Sequence, residues 1–289
     1  MKIVTTPESV LEMALAAMAR TPDERLRTVM AALTRHLHAF VQEVRLTEEE
    51  FESALDFIVG IGHATGDKKN EVVLAADLLG VSTLVALLNN QDPQGESPAA
   101  LLGPFWRANA PLCATGECIA RSDTPGGIPL EVTGTVRDTE GRPIAGAIVD
   151  TWQASPVGLY ENQDPQQQDM NLRGRFETDA EGRFRFTTVR PAGYPVPTDG
   201  PCGVLLRAQQ RHPNRPAHLH FMVSKPGHKV LITQVFADDD ENLESDPVFG
   251  VTRRLIGRFE AQQDGQAATL AHDFVLEPGE MKFPRPPIP

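Results

Sequence analysis

Two histidines one residue apart, His218 and His220, stand in the apolar run RPAHLHFMVSKPG, three residues after Arg215. In an extended strand, side chains i and i+2 point to one face, so both imidazoles project the same way about 6–7 Å apart along the chain. One metal ion can be gripped from that spacing; packing or a hydrogen-bonded pair is the plainer alternative for two such histidines. The chain has only two tyrosines, Tyr160 in SPVGLYENQD and Tyr194 in RPAGYPVPTDGP, both in loops rich in glycine and proline. A phenol keeps its proton to a pKa of about 10, but a highly charged metal ion strips it and makes a hard anionic ligand. Two phenolates and two imidazoles suit a hard trivalent ion such as Fe(III), whereas catalytic zinc typically takes His, Cys and carboxylate. For either tyrosine alone, a loop phenol closing a turn is the alternative.

The elements that must carry these residues change character near residue 100. Before it, VLEMALAAMA and LRTVMAALTRHLHAFVQEV place apolar residues at three- and four-residue steps, Pro22 with Asp23 and Glu24 marks a helix start after Thr21, and Thr47 with Glu50 has the spacing of a capping box. NEVVLAADLLGVSTLVALLNN continues the helical pattern to Asn90, giving four or so helices. QDPQGESPAALLGPF reads as a linker. After it, LEVTGTVRDTEGRPIAGAIVDTWQA and GRFETDAEGRFRFTTVRPA alternate apolar and polar residues around the turn signals Asp138-Thr139-Glu140-Gly141 and Asp179-Ala180-Glu181-Gly182. The expected fold is α+β: a helical domain over residues 1–100, then an antiparallel β-sandwich over residues 101–289 that carries the metal site. The strand pattern by itself favours a non-enzymatic binding module, and the remaining residues have to decide.

Totals bound the partners. Across 289 residues, 27 basic against 39 acidic residues leave a net charge of −12, which argues against a nucleic-acid or anionic-membrane surface. Glu8 and Glu12 interrupt the amino-terminal apolar residues, so no signal peptide is expected, and no apolar run approaches the roughly 20 residues of a membrane span. Three cysteines, Cys113, Cys118 and Cys202, are too few for a disulfide framework, which makes the cytoplasm the default location.

The ordered set Tyr, Tyr, His-x-His, together with LLGPFWRANAP, DTWQASPVGLY, LRGRFETDAEGRFRF, GYPVPTDGP and RPAHLHFMVSKPGHKVLITQVF, resembles the intradiol ring-cleaving dioxygenases, which open catechols between their hydroxyls. NLRGRF, YPVPTDGPCGVLL and RHPNRPAHLHF are most similar to the hydroxyquinol-cleaving members, while Ser155 and Glu161 depart from the asparagine and serine usual in relatives. The resemblance implies one Fe(III) per subunit held by Tyr160, Tyr194, His218 and His220. Tyr160 would stay bound, and Tyr194 would be displaced and take a substrate proton. It implies a small aromatic diol or triol and O2 as substrates, a hydroxyquinol product of the 3-hydroxy-cis,cis-muconate or maleylacetate type, and catechol or chlorocatechol cleavage as the competing activity. Arg215 matches an arginine beside the reacting ring, with a surface ion pair as its alternative, and Gln234 a glutamine near the iron, with an exposed strand face as the equally weighted alternative. Leu74, Asp77, Gly103, Pro104, Phe105, Val196, Pro197 and Val248 match pocket positions; Asp77, which interrupts an apolar helical face, is either the contact for a third hydroxyl or a helix surface charge. A homodimer through the amino-terminal helices is implied too, with an interface that holds lipid in some relatives.

Overall fold

The computed structural model describes residues 3–66, 69–90, 95–122, 127–260 and 267–288, and the chain divides into two compact units, Met1–Val59 and Gly60–Pro289. In the first unit α1 (Pro7–Met18) packs against α2 (Glu24–Val44). The cap of α2 is Asp23 and not Thr21: its carboxylate accepts from the Leu26 amide at 2.7 Å, satisfying a free N–H at the positive end of the helix. α3 (Glu48–His63) begins on the expected capping box, with the Glu50 amide donating to Thr47 Oγ1 at 3.2 Å and the Thr47 amide donating to Glu50 Oε2 at 2.9 Å.

The stretch read as one helix up to Asn90 is two, α4 (Glu71–Leu78) and α5 (Val81–Asn89). Gly80 breaks it with a φ of 71°, a left-handed conformation that stops a helix and that glycine enters without penalty. Of the linker reading, residues 91–94 lie outside the described residues; 95–102 carry no regular element.

Two sheets follow. One has β1 (Pro129–Asp138) at its centre, paired antiparallel with β4 (Arg183–Val189) and parallel with β10 (Ala268–Ala271) and β11 (Phe274–Leu276). The other runs in the order β3 (Arg173–Glu177), β2 (Ile148–Gln153), β7 (His218–Ser224), β8 (Leu231–Ala237), β9 (Ile256–Gly257), and β5 (Tyr194–Pro195) pairs separately with β6 (Asn214–Arg215). A short helix, α6 (Pro201–Ala208), lies between β5 and β6. The expectation of a wholly antiparallel sandwich is therefore corrected: the sheets are mixed. β9, β10 and β11 reach their neighbours by long returns of the chain and not by hairpins, so nothing forces them to reverse direction. The two turn signals have the same character. Residues 138–141 and 179–182 each turn the chain, but β1 and β2, like β3 and β4, lie in different sheets.

Alternation on these strands sets the core. Leu130, Val132, Phe176, Phe184, Phe186, Phe221 and Phe274 close the space between the sheets, with Phe176 and Phe186 stacked at 4.9 Å. β7 is buried at every position: Leu219, Phe221 and Val223 enter that core, while Met222 faces a second cluster containing Trp152, Tyr160, Tyr194 and Phe105.

One carboxylate is confined in the wall of this fold. Asp150 on β2 is buried, and Trp106 Nε1 donates to its Oδ2 at 3.2 Å. Burial outweighs Trp106 and the charges of Arg175 and Arg173 and pushes its pKa up to about 7. The folded chain therefore holds a proton that the unfolded chain gives up near pH 4. The resulting penalty is absent where both states are protonated, grows as pH rises and is complete above about pH 7, at on the order of 4 kcal/mol. Urea unfolding at pH 5 and pH 8 should show a loss of stability in the wild type that is much smaller in Asp150→Asn; equal losses in the two proteins would contradict a proton held at this site.

Candidate active site

β7 turns His218 and His220 to the face opposite the sandwich core, and their Nε2 atoms approach to 3.2 Å. Each imidazole is held from behind. His218 Nδ1 lies 2.7 Å from the Pro216 carbonyl, which can only accept, so the proton is on Nδ1 and a lone pair stands on Nε2. The indole of Trp152, directly across the β2–β7 ladder, stacks on His220 at 4.7 Å and 9°. Burial, reinforced by Arg215, lowers the His218 pKa to about 3, and burial with the neighbouring His218 lowers that of His220 well below its ordinary value. Both rings are neutral, the form that ligates metals.

The tyrosines come to the same place from two loops. Tyr160 follows the turn at Ser155–Leu159, where the Ser155 amide donates to the Leu159 carbonyl at 2.9 Å; Tyr194 sits on β5, in register with Arg215. Their rings meet edge to face at 5.5 Å and 88°; Tyr194 lies 5.5 Å from His218 and Tyr160 6.3 Å from His220, centroid to centroid. Tyr160 is wholly buried, its hydroxyl has no hydrogen-bond partner among the described residues, and burial beside Tyr194 holds its pKa well above the usual phenol value. The four side chains thus surround one buried spot.

They fit a hard cation. A His218 lone pair aimed at another ring nitrogen and a buried hydroxyl with no partner are groups that a cation would satisfy, and two phenolates would offset its charge. Among the described residues no three His, Cys, Asp or Glu side chains gather for a metal, and the groups nearest the two imidazoles that could complete a ligand set are the phenols.

Beside this spot Arg215 is buried and fully engaged. Its Nε and Nη2 donate to Asp246 Oδ1 and Oδ2 at 3.1 and 3.2 Å, Nη2 also donates to Gln234 Oε1 at 3.1 Å, and Nη1 lies 3.4 Å from His218 Nε2. Gln234 faces His220 across the β7–β8 ladder and donates to the Leu101 carbonyl at 2.6 Å. It is not on an exposed strand face, the alternative for such a polar residue.

Leu74, Asp77, Gly103, Pro104, Phe105, Val196, Pro197 and Val248 all line one cavity, which Tyr194 and Arg215 also reach. Most of its wall is apolar. Asp77 is the polar exception among them; burial raises its carboxyl pKa, while Ser82 and the Arg215 charge act to lower it. Lys69, Asn70, Glu71, Val73 and Leu101 complete the lining and were not legible in the sequence, since α4 shows a continuous apolar pattern with nothing to mark which face is the wall. Asp246 and Trp152 were missed as well: one grips Arg215 and the other stacks on His220, contacts that no local pattern around either residue records.

Models of two families match the chain: Dioxygenase over residues 101–278 and Catechol dioxygenase N terminus over residues 23–97. The chain is 44% identical over 264 residues to the 6-chlorohydroxyquinol 1,2-dioxygenase of Cupriavidus pinatubonensis, covering 91% of this chain and 95% of that protein. It is 42% identical over 281 residues to the hydroxyquinol 1,2-dioxygenase of a Rhizobium species, covering 93% and 95%. Among solved structures it is similar to the hydroxyquinol 1,2-dioxygenase from Pseudomonas putida, with a TM-score of 0.88 and 38% identity, over 94% of this chain and 99% of that one.

Gly103 approaches His220 more closely than most side chains would allow. At a φ of 74° its added Cβ would stand 3.0 Å from His220 Cε1. Gly103→Ala should cost about 1–3 kcal/mol from the left-handed backbone and the displaced ring. It should be read as a lower urea midpoint at unchanged slope; an unchanged midpoint would mean that the backbone does not pack against His220 as described.

Proposed function

We propose, since the chain belongs to the intradiol ring-cleaving dioxygenase family, that it cleaves hydroxyquinol (1,2,4-trihydroxybenzene) between adjacent hydroxyls with O2 to give 3-hydroxy-cis,cis-muconate, the tautomer of maleylacetate. Tyr160, Tyr194, His218 and His220 would hold one non-haem Fe(III) per subunit. The convergence of two neutral imidazoles and two phenols, one of which lines a largely apolar cavity, is the observation that carries this reading.

Ferric iron, when bound there, supplies Lewis-acid activation of the paired substrate oxygens. The protein's own groups divide the remaining tasks. Tyr194 lines the cavity and Tyr160 does not, so Tyr194 is the phenol within reach of a substrate hydroxyl and the one suited to accept its proton. Tyr160, buried behind it, keeps its place. Arg215 stays charged throughout and stabilises negative charge as it develops on the substrate. Asp246 and Gln234 fix its planar fork. The apolar walls hold the ring and exclude water, and the Asp77 carboxyl is the acceptor available to a third hydroxyl, which favours hydroxyquinol over catechol.

The helices supply the pairing surface. On α2, Leu26, Val29, Met30, Leu33, Leu37, Phe40, Val41 and Val44 are exposed at helical spacing, an apolar stripe of the kind a second copy covers. We read the first hundred residues as serving a homodimer, with an interface able to accept lipid, and residues 101–289 as carrying the catalysis, with α4 lending part of the wall. Among the described residues no single helix is long and apolar enough to cross a membrane, and we place the enzyme in the cytoplasm.

Oxygen uptake by the iron-loaded protein, with products followed by ultraviolet absorbance, tests the reading. Hydroxyquinol should be consumed with a kcat/KM well above that for catechol, and Asp77→Asn should lower the hydroxyquinol value roughly 10-fold or more, as loss of a charged hydrogen bond does, with little effect on catechol. A wild type that prefers catechol would reverse the substrate order, and protein that binds no iron and takes up no oxygen would sink the proposal.

A further inference from the structure

The residue after Tyr160 is Glu161, whose buried carboxylate is gripped by two arginines. Arg173 Nη2 lies 2.7 Å from its Oε2 and Arg107 Nη1 2.9 Å from its Oε1. Arg173 is only 1% exposed, a costly place for a charge unless the charge is put to use. Its other terminal nitrogen donates to the Phe105 carbonyl at 2.6 Å, and the Phe105 ring stacks on Tyr160 with centroids 4.4 Å apart. The Arg173 backbone pairs with Trp152 across the β2–β3 ladder, and Trp152 is the indole stacked on His220.

One guanidinium therefore ties together the loop bearing Tyr160, the cavity wall at Phe105 and the strand that backs His220. Stability alone does not account for it, because buried ion pairs are often replaced by apolar residues of similar volume at no loss. A planar fork held at both ends does supply fixed geometry. Partners one step removed from a metal ligand commonly orient that ligand and strengthen its hold.

We propose that Glu161 and Arg173 are positioning residues that fix the phenol of Tyr160 relative to the imidazole of His220 and so set how tightly the site holds its metal. This rests on the reading of those two side chains as iron ligands. Neither residue contacts the cavity, so the pair acts on the ligands and not on the substrate.

The test compares wild type, Glu161→Gln and the double variant Glu161→Leu with Arg173→Met. Three measurements are made: iron retention in competition with a chelator, the visible phenolate-to-iron absorption of the loaded protein, and thermal melting of the iron-free protein. Both variants should release iron about 10- to 100-fold more readily and shift the visible band. The double variant leaves neither member of the pair buried alone, and Arg107 keeps Asp169, so its iron-free Tm should stay close to that of the wild type. If Glu161→Gln melts far lower, the double variant decides by itself. A folded double variant with wild-type retention and an unshifted band would overturn the pairing while leaving the iron site intact. A wild type that takes up no iron and shows no visible band would instead overturn the iron reading, and this inference with it.

Discussion

A strand buried on both faces gives a polar side chain no solvent to bond with, and β7 carries two imidazoles on the face turned away from the sandwich core. Their environment follows from that constraint. Burial keeps both rings neutral; a backbone carbonyl takes the one N–H of His218, and its remaining lone pair points at the other ring. Two loops then bring phenols to the open side. An apolar side chain at either position would carry no desolvation cost, and the fold keeps four polar groups together where their polar atoms have few partners. Such an arrangement is expected where function and not stability selects the residues.

The sequence made the imidazole pair readable because strand period and residue type agree there: HLHFMV places His218 and His220 on one face and Leu219 and Phe221 on the other. The capping box at Thr47 was readable for a similar reason, since a local motif is satisfied by local hydrogen bonds. Strand direction was not. β10 and β11 lie parallel to β1 in one continuous register, with partners 133 to 271 and 136 to 274, and that depends on where a long return of the chain arrives. No residue in ATLAHDFVL records it. The break at Gly80 was visible only as a glycine within a helical pattern, which helices often tolerate.

The site shows the same division. Residues that would touch a metal or a ring announced themselves by type or by resemblance, whereas those that hold them did not. Asp246 sits in SDPVFG, a turn-like stretch with no periodicity, yet it grips Arg215 through both carboxylate oxygens. Trp152 reads as an ordinary inward strand residue until its indole is found parallel to His220.

Asp246 also explains how a permanent cation can stand beside neutral imidazoles. Arg215 alone would fill the site with positive potential and oppose any cation brought to β7. Paired with a carboxylate that its own charge draws below the usual range in spite of burial, it contributes a dipole more than a net charge. The positive end of that dipole is directed at His218 and the cavity, 3.4 Å from Nε2. The site thus keeps a donor for negative charge that develops on a bound molecule, while its inner side remains free to accept a positive ion whose charge the two phenols are placed to balance.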